Sequence, residues 1–69
     1  MTDDDLPPSA KLVRKVLEYE GPLTYEELAD ETTLARSTLK DALEELRERD
    51  LVRRQYRTDD ARTHLYVTV

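Results

Sequence analysis

The side chains of this 69-residue chain that could do chemistry are donors and acceptors of hydrogen bonds rather than makers of covalent bonds. Arg36, Ser37, Thr38, Lys40 and Asp41 place a guanidinium, two hydroxyls, an ammonium and a carboxylate side by side, and Arg57 and Arg62 flank a short polar loop farther on. Guanidinium forks and hydroxyls suit planar acceptors and phosphate-like oxygens. Bond-making chemistry has no comparable set. No nucleophile, histidine and acid can be grouped, and no Gly-rich phosphate loop is present. With one histidine, His64, and no cysteine, neither a metal centre nor a disulfide framework can be assembled. Neither an enzyme nor a bound cofactor or metal is expected.

The elements that must hold those residues are read from apolar spacing. Leu39, Ala42, Leu43 and Leu46 recur at i, i+3, i+4, i+7, which predicts a helix over 35–49 with Ser37, Lys40, Asp41, Glu44 and Glu48 on its far side. Glu45 and Arg49 stand at ion-pair spacing on that helix. A preceding helix over 24–32 is announced by Thr24 and Glu27, the pattern of a capping box, and carries Tyr25, Leu28 and Ala29 inward. Thr32-Thr33-Leu34 interrupts it, because β-branched residues are poor helix formers. Together these form two helices joined by a short turn. An earlier helix over 9–20, with Leu12, Val13, Val16 and Leu17, ends at Gly21-Pro22 and serves as scaffold, and Pro22-Leu23 suits a short strand.

After Asp50 the apolar period changes from helical to two, predicting strands over 51–57 and 62–69 around Thr58-Asp59-Asp60-Ala61. Pairing Arg57 with Arg62 puts Val52 and Tyr56 on one face with Leu65 and Val67, with Arg54 as the exception there. Arg53, Gln55 and Arg57 then share the other face with Arg62, His64, Tyr66 and Thr68. Two arginines facing across a hairpin repel mildly, and a polyanion would relieve them. His64 is expected to be a half-exposed strand residue, and the four tyrosines to be core or interface.

Residues 1–8, with three consecutive aspartates before Leu6-Pro7-Pro8, are expected to be a disordered acidic tail, and 9–69 a single domain. At this size the core is thin, which favours a homodimer, with the first helix or Tyr66 as the contact. No apolar run approaches the roughly 20 residues of a membrane span, and the acidic start does not resemble a secretory leader, so a cytoplasmic protein with no membrane partner is expected. The formal charge is −5, from 11 basic and 16 acidic residues. Its distribution is uneven: residues 1–33 hold nine acids and three bases, and residues 34–69 seven acids and eight bases. The bias of eight Arg to three Lys, without Ile, Phe, Trp, Asn or Cys, resembles proteins of salt-loving microbes such as halophilic archaea. In concentrated salt the Debye length falls to about 3 Å, and distant carboxylates hardly repel a polyanion.

Three helices followed by a two-stranded hairpin, with the helix pair second and third, is the order of the α+β winged helix-turn-helix fold. In detail, LADETTLARSTLKDALEELRERDLVRR resembles the MarR-like and ArsR-like bacterial and archaeal transcription regulators. Leu28, Ala29, Leu34, Ser37, Thr38, Leu43, Leu46, Leu51 and Val52 stand at their motif positions, and Asp60-Ala61-Arg62 leading to Val67-Thr68 is similar to their wing. Two residues depart from the pattern. Thr33 and Asp50 stand where glycine is usual, so both are expected in a left-handed or adjusted backbone that aspartate tolerates better than threonine. The dimerisation helices that flank the winged domain in MarR-like proteins have no counterpart in this sequence.

The resemblance implies that the third helix enters the major groove of double-stranded DNA by its first turns while the wing follows the backbone or minor groove. It implies that Arg36, Ser37, Thr38, Lys40 and Asp41 approach bases and phosphates, and that Arg57 and Arg62 grip phosphates. Glu44, Glu45 and Glu48, interleaved with Arg47 and Arg49, are expected to point out of the groove. The competing class is a winged helix used as a protein-interaction module in a transcription or chromosome assembly. The acidic total favours that class, and the late arginines favour DNA. No sensor domain is visible, so a small-molecule effector is not indicated.

Overall fold

The computed structural model describes residues 6–56 and 64–69. The first helix, α1 (Pro8–Glu20), starts with Pro8 in its first turn, where a missing amide costs nothing, and ends at Gly21 with φ 91°. Gly21 adopts this left-handed backbone freely, and its N–H donates to the Leu17 carbonyl at 2.9 Å. A two-residue strand, β1 (Leu23–Thr24), leads into α2 (Tyr25–Thr32). The capping box is present in both directions: the Glu27 amide donates to Thr24 Oγ1 at 3.1 Å, and the Thr24 amide donates to Glu27 Oε1 at 2.9 Å.

The turn after α2 is built by threonines. Buried Thr32 donates its hydroxyl to the Leu28 carbonyl at 2.7 Å, and Thr33 closes the helix at φ 55°, ψ 20°, in the left-handed region. The chain then enters α3 (Arg36–Glu48), and after Arg49 it turns at Asp50, φ 60°, into β2 (Val52–Tyr56). The two residues that stand in place of glycine therefore both adopt positive φ.

The strand β3 (His64–Thr68) lies between β1 and β2 in an antiparallel sheet of order β1-β3-β2. Val52 pairs with Thr68, Arg53 with Val67, Arg54 with Tyr66, Gln55 with Leu65 and Tyr56 with His64. This corrects the expected register by one residue and reverses the faces of β3. Tyr66 joins Val52 in the core and is 7% exposed, while Leu65 and Val67 sit half-buried beside Gln55 and Arg53. The expectation assumed one dry and one wet face. As the central strand, β3 is covered on both edges, with Leu23 opposite Tyr66, so alternating aliphatics do not mark its face and the larger tyrosine fills the core position. Tyr66 is thereby removed as an exposed dimer contact. Arg57 and Arg62 lie outside the described residues.

The core joins Ala10, Val13 and Leu17 of α1, Leu28 of α2, Leu39, Ala42, Leu43 and Leu46 of α3, Val52 and Tyr66. Leu6, assigned to the tail by sequence, is also buried, at 5% exposure, because the chain before Pro8 turns this aliphatic residue inward. Leu12, counted with the apolar stripe of α1, is instead 40% exposed.

Candidate functional site

The inward face of α3 fixes the direction of every other side chain on it. Leu39, Ala42, Leu43 and Leu46 are buried, so at about 100° per residue Ser37, Asp41, Glu44 and Glu48 form the outward ridge. Arg36, Lys40 and Arg47 fall together on one flank, and Thr38 on the other. All five residues singled out on this helix, Arg36, Ser37, Thr38, Lys40 and Asp41, are exposed.

The start of α3 is open to an acceptor. Ala35 occupies the cap position and supplies no side-chain oxygen, and the first turn holds no acid. The first helical bond runs from the Leu39 amide to the Ala35 carbonyl at 2.8 Å, so the amides of Arg36, Ser37 and Thr38 have no acceptor within the helix. These amides carry the positive end of the helix dipole, beside the Arg36 guanidinium and two hydroxyls.

Tyr25, at the first position of α2, fastens this open end. Its hydroxyl donates to the Arg36 carbonyl at 2.7 Å, and the Arg36 guanidinium carbon lies 5.8 Å from its ring centroid, within cation–π range. A small cleft of about 110 Å³ continues from there between α3 and the sheet, lined by Tyr25, Lys40, Leu43, Glu44, Arg47, Arg54 and Tyr66. Arg36, Lys40, Arg47 and Arg54 thus form a basic strip running from the first turn of α3 to the middle of β2, beside an acidic ridge.

All four cations of the strip are exposed, as suits charges that bind an anion through water-accessible donors. Among the described residues, no group of three or more His, Cys, Asp or Glu could hold a metal. His64 is half-buried as expected, edge-on to the rings of Tyr56 at 5.1 Å and Tyr66 at 6.1 Å between centroids, and packs at the last described pair of the β2–β3 ladder.

A family model described as the MarR family matches residues 10–64. The chain belongs to the MarR family. A probable transcriptional regulator from Pseudomonas aeruginosa is similar in structure at 27% identity and a TM-score of 0.88, covering 96% of this chain and 50% of its own. A cysteine-to-serine mutant of ZitR from Lactococcus lactis shows 22% identity and a TM-score of 0.87, covering 94% of this chain and 44% of its own. The regulator Tm0710 from Thermotoga maritima shows 22% identity and a TM-score of 0.88, covering 99% and 48%. The chain therefore spans about half the length of the solved structures it matches. No curated protein matches it significantly. The MarR family transcription regulator SP03579 shares the fold as well, at 18% identity and a TM-score of 0.88, covering 99% of this chain and 45% of its own.

Within this MarR-family domain, sequence reading missed Tyr25, Arg47 and Arg54 as parts of the site. Arg47 was legible, since Arg36, Lys40 and Arg47 are spaced by four and seven residues, both helical repeats, but the glutamates around it hid the pattern. Arg54 stands in the sequence as a cation on an apolar face, and the cleft gives the reason: it reaches past Tyr66 toward α3. Tyr25 left no signal, because a bond to a backbone carbonyl eleven residues away depends on how two helices cross. No helix among the described residues is long and apolar enough to cross a membrane.

Proposed function

We propose that the chain is a sequence-specific, double-stranded DNA-binding transcription regulator that enters the major groove with the first two turns of α3. The open N-terminus of α3, carrying Arg36 braced on Tyr25, is the observation that carries this reading. Arg36 takes a guanine edge or a phosphate, Ser37, Thr38 and Lys40 hold phosphates, and Asp41 accepts from a cytosine amine. Arg47 and Arg54 extend the phosphate path along the flank of the helix. Arg57 and Arg62, assigned by sequence to the wing, grip the backbone or minor groove.

Selection from a randomised duplex pool, followed by fluorescence anisotropy on the enriched sequence, tests the proposal. Enrichment of a defined motif, with Arg36→Ala relaxing preference at one base pair and Lys40→Ala weakening all duplexes alike, is the expected result. The exposed row Asp41, Glu44 and Glu48 favours a second reading, a protein-interaction module whose partner carries a basic surface. No enrichment and no duplex binding at any salt concentration would transfer the chain to that class.

A further inference from the structure

Among the described residues the sheet ends in an open edge, because in the order β1-β3-β2 strand β2 pairs on one side only. Its register with β3 decides which of its backbone groups face outward. The Val69 amide donates to the Leu51 carbonyl at 3.1 Å, and this pair continues the ladder of Val52 with Thr68, so Leu51, Arg53 and Gln55 turn their backbone groups toward β3. Arg54 and Tyr56 alternate with them and turn theirs outward, where among the described residues no other strand meets them. Both residues are exposed, Tyr56 at 60%. The edge is also basic. Arg53 and Arg54 project to opposite faces of β2, and no residue of β1, β2 or β3 is an acid. On the face toward α3, Arg54 stands with Lys40 and Arg47 at the small cleft, three cations against the single acid Glu44. Like charges on an edge keep copies of one sheet from pairing, yet they leave that edge attractive to a strand of opposite charge.

We propose that the open edge of β2 is a docking site for an acidic segment of a partner protein, which adds to the sheet as a further antiparallel strand. The outward amides and carbonyls of Arg54 and Tyr56 exchange main-chain bonds with two residues of that segment, which supplies affinity without regard to side chains. Side-chain alternation supplies the selectivity. The residue opposite Arg54 projects on the same face as Arg54, toward Arg47 and Lys40, so a carboxylate there meets three cations. Its neighbour opposite Arg53 projects to the outer face, where a second carboxylate meets Arg53. The residue opposite Tyr56 lies beside an exposed ring and suits an aromatic or aliphatic side chain. Because the two strands run antiparallel, the segment reads apolar, any residue, acid, acid from its N-terminal end. A strand in this place occupies Arg47 and Arg54, so its owner displaces any polyanion that those arginines hold.

The proposal does not rest on DNA binding, and its test contains no DNA. The probe is the peptide fluorescein-Ser-Tyr-Thr-Glu-Glu-Val-Thr-amide, titrated with the full chain in dilute KCl and read by anisotropy. Saturable binding is expected, weakened by about tenfold when the two glutamates are moved to the ends of the same peptide. Two N-methylated forms separate strand addition from charge attraction. A methyl on the amide of the first glutamate, the residue opposite Arg54, removes the N–H that donates to the Arg54 carbonyl and is expected to abolish binding. A methyl on the second glutamate, whose amide points away from β2, is expected to leave binding unchanged. In hydrogen exchange followed by NMR, the bound peptide is expected to slow the Arg54 and Tyr56 amides, while those of Arg53 and Gln55 are already held by β3. Absence of saturable binding overturns the proposal. Equal binding by the two N-methylated forms or by the rearranged peptide, or unchanged exchange at Arg54 and Tyr56, means that the arginines attract acid without adding a strand, and overturns it too.

Discussion

Tyr25 holds Arg36 twice: its hydroxyl donates to the Arg36 backbone carbonyl at 2.7 Å, and its ring lies 5.8 Å from the guanidinium. The first contact fixes where α3 begins relative to α2, and the second limits the arc through which the arginine can swing. A long side chain restricted before binding loses less entropy on binding. The two contacts can be separated. Tyr25→Phe keeps the ring and removes one neutral hydrogen bond, so it should lower stability by about 1 kcal/mol and leave duplex preference in place. Tyr25→Ala should also weaken specific binding more than non-specific binding, read as a reduced ratio of the two dissociation constants by anisotropy.

Thr33 and Asp50 both sit at positive φ, 55° and 60°, without being glycine. A β-branched residue in that region carries a cost of about 1–2 kcal/mol, whereas aspartate is better suited to it. Glycine relieves the strain but adds freedom to the unfolded chain, which returns roughly half of the gain. Thr33→Gly is therefore expected to raise stability by up to about 1 kcal/mol, seen as a higher urea midpoint with an unchanged slope, and Asp50→Gly to raise it less. Loss of stability in Thr33→Gly would mean that the Thr33 hydroxyl, which donates to the Thr32 carbonyl at 2.6 Å, outweighs the strain.

The helices were legible because each carries its own signal. The α3 stripe, the Thr24–Glu27 box and the Gly21 stop are all local, and the folded chain keeps them within a residue or two. The strand register was not, since it depends on which residue of β3 meets the helices, and that is decided by β1 pairing on the far edge. Leu65 and Val67 look like core residues in sequence, yet one tyrosine between them takes the place. The site divides in the same way. Exposed Arg36, Ser37, Thr38, Lys40 and Asp41 follow from the periodicity of one helix, but the brace from Tyr25 and the cleft bringing Arg54 beside Arg47 require three elements to be placed together.

Arg47 and Arg54 are predicted to be phosphate contacts without sequence preference. Arg47→Ala or Arg54→Ala should weaken specific and random duplexes by the same factor, and each should reduce the salt dependence of binding by about one phosphate equivalent. Base preference in the selected pool should not change. Altered preference in Arg54→Ala would instead mean that β2 approaches base edges.

The dependence of binding on salt should expose the acid beside the strip. A basic protein releases counterions from DNA, so its affinity falls steeply with salt, with a log–log slope of about −0.9 per phosphate neutralised. Here Arg36, Lys40, Arg47 and Arg54 cannot reach a duplex without bringing Asp41, Glu44 and Glu48 close to it, because these acids form the adjoining ridge of the same helix. Their repulsion has to be screened by cations held at the interface, and uptake of those cations opposes the release. The expected slope is therefore shallow, or inverted, between dilute and molar KCl. Replacing ridge acids isolates the effect. Glu44→Gln with Glu48→Gln should tighten binding most in dilute salt, little in molar salt where the Debye length is about 3 Å, and should make the slope steeper and more negative. A steep ordinary slope in the unaltered chain, unchanged by the double substitution, would show that the ridge faces away from the duplex, and α3 would then approach DNA by its basic flank alone.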